Sequence, residues 1–105
     1  MRCPLVHVIA SIRVKPGCRD NFLTLFKANV PAVRAEAGCI EYQPAVDLDS
    51  GLPPQVCDPQ TIVIIEKWAS LDALKAHLAA PHMKAYKEKT KDLVEGVTLK
   101  VLQNA

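Results

Sequence analysis

Aromatic side chains are scarce in this chain: one Trp, two Tyr and two Phe make up 5% of its 105 residues. The four glycines form neither a G-x-G-x-x-G run nor a phosphate loop, so a nucleotide cofactor is not expected. Long apolar runs are missing too. The opening "MRCPLVHVIAS" is too short to span a bilayer, is interrupted by Pro4 and lacks a small-residue cleavage pattern. A cytoplasmic protein with no membrane contact is the expectation. Neither sign of charge dominates, with 13 Lys and Arg against 11 Asp and Glu. The one dense basic stretch, "KAYKEKTK" at 84–91, is interleaved with Glu88 and followed by Asp92, as on a solvated helix face, and no nucleic-acid partner is expected.

Cysteines are present but never close together. Cys3, Cys18, Cys39 and Cys57 contain no C-x-x-C pair, which argues against a zinc ribbon and a thioredoxin-like site. Four free thiols fit a reducing compartment, with Cys39 as a small core residue. No Ser or Cys sits in a nucleophile elbow.

Half of the residues are hydrophobic, enough for one compact domain spanning 1–105, and their spacing alternates between two periods. In 5–14, Val6, Val8, Ala10, Ile12 and Val14 recur at period two, as on one face of a strand. From Arg19 to Ala37 the period is helical, through Phe22, Leu25, Phe26, Asn29 and Val33, with Gly38 at the cap and a kink expected at Pro31. A second strand covers 39–48, with Pro44 arguing for an edge position. The segment 49–60 is long for a hairpin loop and is a candidate cover for a pocket or a neighbouring subunit. "TIVIIEKW", 61–68, is a strand rich in β-branched residues and suited to the centre of a sheet.

Ser70 caps a helix whose apolar stripe is Leu71, Leu74 and Leu78, with His77 on its shoulder. Pro81 opens a third helix, with Met83, Tyr86, Thr90 and Leu93 inward and Gly96 closing it, before a final strand at 97–103. The order β-α-β-β-α-α-β predicts an α+β, ferredoxin-like split βαβ fold: a four-stranded antiparallel sheet with its helices on one face. The other face carries Leu5, His7, Ile9, Ser11, Arg13, Val63, Ile65 and Lys67. Two such sheets packed face to face would hide that apolar patch, so a homodimer through the open sheet face is expected.

Chemistry concentrates in "EKWASLDALKAHLAAPH", 66–82. Ile62, Ile64, Glu66 and Trp68 share one face of the third strand, His77 lies on the following helix, and His82 opens the next. Asn29 sits on the apolar stripe of the first helix and should point inward. An apolar pocket holding an indole, an imidazole, a carboxylate and an amide is the expectation. Each residue also has a structural role open to it: Trp68 as a core plug, His77 and His82 as surface histidines, Glu66 as a strand-edge partner for a Lys, and Asn29 as a partner for a carbonyl freed by Pro31. The two histidines lack the i, i+4 spacing of a helical metal pair and no carboxylate or thiolate beside them completes a set, so no metal is expected.

Three segments, "VKPGCRDNFLTLF", "EAGCIEYQ" and above all "IIEKWASLDALKAHLAAPHMKAY", resemble the antibiotic biosynthesis monooxygenase domains along nearly the whole chain. That family belongs to the dimeric α+β barrel proteins and includes quinol monooxygenases. Its pattern of a Glu-x-Trp strand end, an Ala-Leu-x-x-His helix and a second His is matched by Glu66, Trp68, His77 and His82. The resemblance implies a cofactor-independent monooxygenase that oxidises an electron-rich phenol or hydroquinone to a quinone with dioxygen. It implies His77 as the base, Trp68 as a flat wall for the ring, Asn29 or Tyr42 as donors to an oxygen, and Glu66 orienting a neighbour. Tyr42, His82, Tyr86 and Ile64 are then the candidate substrate-binding residues. Haem-degrading relatives carry an Asn on the first strand, where this chain has Ala10 and Ser11. Haem binding through His77, isomerisation of a hydroxycarbonyl compound, and non-catalytic binding of a small hydrophobic ligand are the alternatives that the same fold hosts.

Overall fold

A computed structural model describes residues 5–105. Its elements are β1 (Val6–Val14), α1 (Arg19–Arg34), β2 (Cys39–Ala45), β3 (Thr61–Trp68), α2 (Leu71–Ala79), α3 (Pro81–Thr90) and β4 (Val94–Leu102). The strands form one antiparallel sheet in the order β2-β3-β1-β4, the ferredoxin-like arrangement expected from the element order. The β-branched strand β3 is central, and Pro44, which cannot donate to a ladder, lies on the edge strand β2.

Burial alternates along β1 and β3 because successive side chains leave a strand on opposite faces. Val8, Ile12, Ile62 and Ile64 turn under the helices and meet Phe22, Phe26, Val30 and Val33 of α1. Phe22 and Phe26 meet the edge of the Tyr86 ring at centroid distances of 6.3 and 5.7 Å, which ties α3 to α1. Among the described residues no helix is long and apolar enough to cross a membrane. Cys18, Cys39 and Cys57 are free, and Cys39 packs partly buried against the core; the expectation for Cys3 lies outside the described residues.

Several boundaries differ from the sequence expectation for local reasons. Helix α1 passes through Pro31 but ends at Arg34 rather than Ala37. Beyond it the chain turns, with the Glu36 amide donating to the Val33 carbonyl and the Cys39 amide to that of Glu36. Helix α3 ends at Thr90, and Gly96 lies inside β4 opposite Arg13 instead of capping the helix. The Thr90 hydroxyl bonds back to the Tyr86 carbonyl, a local alternative to helix continuation. Strand β2 stops at Ala45, and the loop after it lines neither of the cavities described below. Helix α2 is capped by the Ser70 side chain as expected, but it buries Leu74 and His77 and leaves Leu71 and Leu78 exposed at 47% and 42%. The imidazole therefore belongs to the core-facing stripe and not to its shoulder.

Gly38 explains how α2 can come so close. Its φ of +83° is the left-handed region, and a Cβ built there would stand 2.6 Å from the Cβ of Ala73 on α2. The Gly38 carbonyl also accepts from the Ala69 amide at 2.8 Å, holding the turn after α1 to the end of β3. Gly38→Ala should lose roughly 2–4 kcal/mol through the forced backbone and the overpacked contact together. Urea denaturation measures this directly, and an unchanged midpoint would refute the close-packing argument.

Candidate active site

Between the sheet and α3 lies a cavity of about 640 Å³, a size typical of small-molecule sites. Its floor is apolar, from Ala10, Ile12 and Ile64 to Val97 and Leu99 of β4, and α3 roofs it with Met83, Tyr86 and Thr90. Tyr42, Glu66 and His77 bring polar atoms to this lining. The floor is apolar because strand alternation sends these residues to the helix side. Glu66 departs from that pattern at 7% exposure.

Two buried contacts hold the polar end. Trp68 donates from Nε1 to Glu66 Oε1 at 3.0 Å, two residues apart on one strand face. The imidazole of His77 stacks on Trp68 with centroids 4.6 Å apart and planes inclined by 34°, and it meets the Tyr42 ring edge-on at 5.4 Å. On its other side, His77 Nδ1 lies 2.7 Å from Glu36 Oε2. A carboxylate accepts, so Nδ1 carries the proton and Nε2 is left as the basic nitrogen. Glu36 Oε1 is also 3.5 Å from His82 Nε2, too far or too poorly aligned to bond, and both His82 nitrogens are buried without a partner.

Glu36 is the functional residue that sequence reasoning missed. The two histidines had no carboxylate near them in sequence, yet the turn after α1 brings one between them. One signal was available: an acidic residue just past a helix C-terminus sits where the helix dipole favours cations. Among the described residues, no group of three or more His, Cys, Asp and Glu side chains is arranged to hold a metal ion.

The other predicted residues separate into distinct places. Glu66, His77, Tyr42, Tyr86 and Ile64 converge on the main cavity. Trp68 is fully buried behind His77 and does not line the cavity, so it acts on the imidazole and on Glu66 rather than as an open wall. Asn29 and His82 line a second, smaller cavity of about 200 Å³ against α1. Asn29 donates to the Met83 sulfur at 3.4 Å, not to a carbonyl freed by Pro31.

Burial sets the protonation states. It pushes His77 below its ordinary range, while the hydrogen bond and charge of Glu36 pull back upward, so the imidazole is neutral at pH 7. Burial raises Glu66 to about 7, with the Trp68 hydrogen bond opposing and the charge of Glu36 adding to the rise. Burial first, and the charge of Glu66 besides, hold the Tyr42 hydroxyl protonated well beyond its usual range; Tyr86 is raised likewise, chiefly by burial. The cavity thus combines a neutral imidazole, a carboxyl group poised near neutrality and two phenolic donors.

A ferredoxin-like sheet whose helical layer encloses an apolar cavity with acid and base groups at one end defines a small-molecule site on an α+β scaffold. The chain belongs to the antibiotic biosynthesis monooxygenase family, whose model matches residues 5–89. It is 44% identical over 101 residues to the Probable quinol monooxygenase YgiN of Escherichia coli K12, covering 94% of this chain and 97% of that one. Among solved structures, PA3566 from Pseudomonas aeruginosa is similar with a TM-score of 0.83 and 25% identity over 100% of this chain and 98% of that one. Rv0793 from Mycobacterium tuberculosis is similar at 0.79 and 27%, over 96% and 95%.

A carboxyl group bound more tightly to its proton in the fold than in the unfolded chain stabilises the fold at low pH and loses that contribution as pH rises. For Glu66 the window runs from its ordinary 4.5 to about 7, and the loss across it amounts to at most about 3 kcal/mol. His77 works the other way, since its depressed affinity makes protonation below its ordinary 6.5 destabilising. Glu66→Gln should remove the decline between pH 5 and pH 8 and leave stability rising with pH only up to about 6.5, the ordinary value of His77. Chemical denaturation across the series tests this, and a variant curve parallel to the parent would refute it.

Proposed function

We propose that this protein is a monooxygenase that oxidises an electron-rich phenol or hydroquinone with dioxygen, the substrate itself supplying the electrons. Membership of the family and the similarity to a relative bearing a quinol monooxygenase name support the class of reaction. The observation that carries the reading is His77, a buried neutral imidazole tethered by Glu36 at the wall of an apolar cavity, with Glu66 beside it.

The reaction divides among these groups as follows. His77 Nε2 takes the phenolic proton, and the resulting phenolate is the electron-rich species that meets dioxygen in the apolar cavity. A C–O bond forms at an unsubstituted ring carbon, and the distal oxygen takes up the proton. The O–O bond then breaks as the ring C–H proton leaves. One oxygen remains as the new carbonyl, the other departs as water carrying both protons, and the phenol has given four electrons. Glu66 and the Tyr42 and Tyr86 hydroxyls are the donors available to the developing oxyanions. Trp68 keeps the imidazole and Glu66 in place.

Oxygen uptake with a panel of hydroquinones and phenols is the direct assay. His77→Ala should lose roughly 10²–10⁴-fold in kcat/KM with the fold retained. Glu36→Gln should lose less, and its acid limb should move to lower pH because the charge that raises the proton affinity of His77 is gone. Uptake at the spontaneous rate with every substrate would leave ligand binding without catalysis as the reading.

The same proposal includes a homodimer through the open sheet face. Its support is the run of Leu5, Ile9, Val63 and Ile65 on the side of the sheet away from the helices, joined by Leu102 of β4 opposite His7. An ordinary interface of about 800 Å² per partner would cover it. Val63→Asp would place a charge in that contact and should give monomers, partial unfolding or insoluble protein. A folded monomer of the parent at micromolar concentration in sedimentation would remove the dimer.

A further inference from the structure

The cavity has an electrically lopsided lining. Glu66 and His77 are lining residues, and so are Lys87 of α3, whose charge reaches His77, and Lys91, which follows the last residue of that helix in the same αR conformation. Four residues of helix separate the two lysines by a rise of about 6 Å, so they follow one another along the same side. Facing them are the apolar side chains of Val94, Val97 and Leu99. Lys91 pairs with Glu88 at 2.7 Å across an exposed surface, and Glu88 does not line the cavity. Lys87 has no carboxylate partner among the described residues.

We propose that the substrate is an aromatic alcohol or quinol bearing a carboxylate on the part of its ring system away from the reacting carbon, with Lys87 and Lys91 as the residues that select it. The identity of the ring and its reacting end rests on the monooxygenase reading; the choice of an acidic substituent does not. An uncharged ring leaves both ammonium groups to water and gains nothing from them. A carboxylate at the rim of an apolar cavity pairs with them where water is partly excluded, which strengthens the attraction. Orientation follows from the same charges. The two ammonium groups draw the acid group to themselves, which leaves the hydroxyl for His77. At about 640 Å³ the cavity has room for a fused ring system with its substituent.

The test is binding, kept apart from turnover. Two probes are compared by calorimetry without oxygen: a hydroxynaphthoate with its carboxylate on the ring opposite the hydroxyl, and the naphthol with a methyl group in that place. The parent protein should prefer the carboxylate by about fivefold at low ionic strength, the scale of a well-placed but partly solvated ion pair. The preference should shrink as salt shortens the screening length. In Lys87→Ala/Lys91→Ala it should fall to near one, and in Lys87→Glu/Lys91→Glu it should invert, with circular dichroism reporting that the helix persists. Equal affinities in the parent overturn the proposal, as does a preference that survives the alanine pair. Oxygen uptake with the same probes is a separate readout: no uptake with the preference intact defeats the monooxygenase reading alone, and uptake without a preference defeats this inference alone.

Discussion

An imidazole that is 2% exposed is an expensive thing for a protein of this size to hold, and the arrangement around His77 shows what makes it tolerable. The ring is neutral, so no charge is taken out of water. Its one N–H is satisfied by Glu36, its face by the indole of Trp68 and its flank by Tyr42. Those three partners come from the turn after α1, from β3 and from β2, so the histidine is a point where separate parts of the chain must agree. Gly38 is part of the same agreement: only a residue without a side chain lets α2 approach closely enough to hand the imidazole inward.

The two carboxylates near this point, the half-buried Glu36 and the buried Glu66, have opposite partners and therefore different work. Glu36 accepts from His77 Nδ1 and orients that ring. Glu66 faces an indole N–H and apolar walls, and burial raises its hold on a proton to about 7. Shifting titratable groups from their ordinary affinities is how a fold performs acid and base steps at one pH. Here an imidazole is made less basic and a carboxyl less acidic, so burial favours the uncharged form of both.

Much of this was legible in the sequence, and the failures follow a pattern. Period-two and period-3.6 spacing located every strand and helix, and "IIEKWASLDALKAHLAAPH" pointed to Glu66, Trp68 and His77. What strand and helix periodicity does not carry is the rotation of a short helix about its axis. Leu71, Leu74 and Leu78 look like a stripe, but Ala73 against Gly38 turns α2 so that Leu74 and His77 face in and the outer leucines face out. Glu36 was invisible for a related reason. Its partner is 41 residues away, and a turn of four residues, not an element with a period, aims it. Asn29 was placed on the right stripe but one cavity too far, because a helix face seen in sequence does not say which of two adjoining spaces it borders.

The division of one helical layer into α2 and α3 has a kinetic consequence. Ala80 is extended and Pro81 begins α3 afresh, so the helix over the cavity is joined to the fixed imidazole-bearing helix by a single non-helical residue. Of its ten residues only Met83 and Thr90 are buried, whereas β1 and β3 beneath bury every second side chain. Segments with so little anchorage open at a lower free energy than the core they cover. Ring-sized molecules can then enter and leave with brief excursions of the roof, while the stacked indole and imidazole stay assembled between visits.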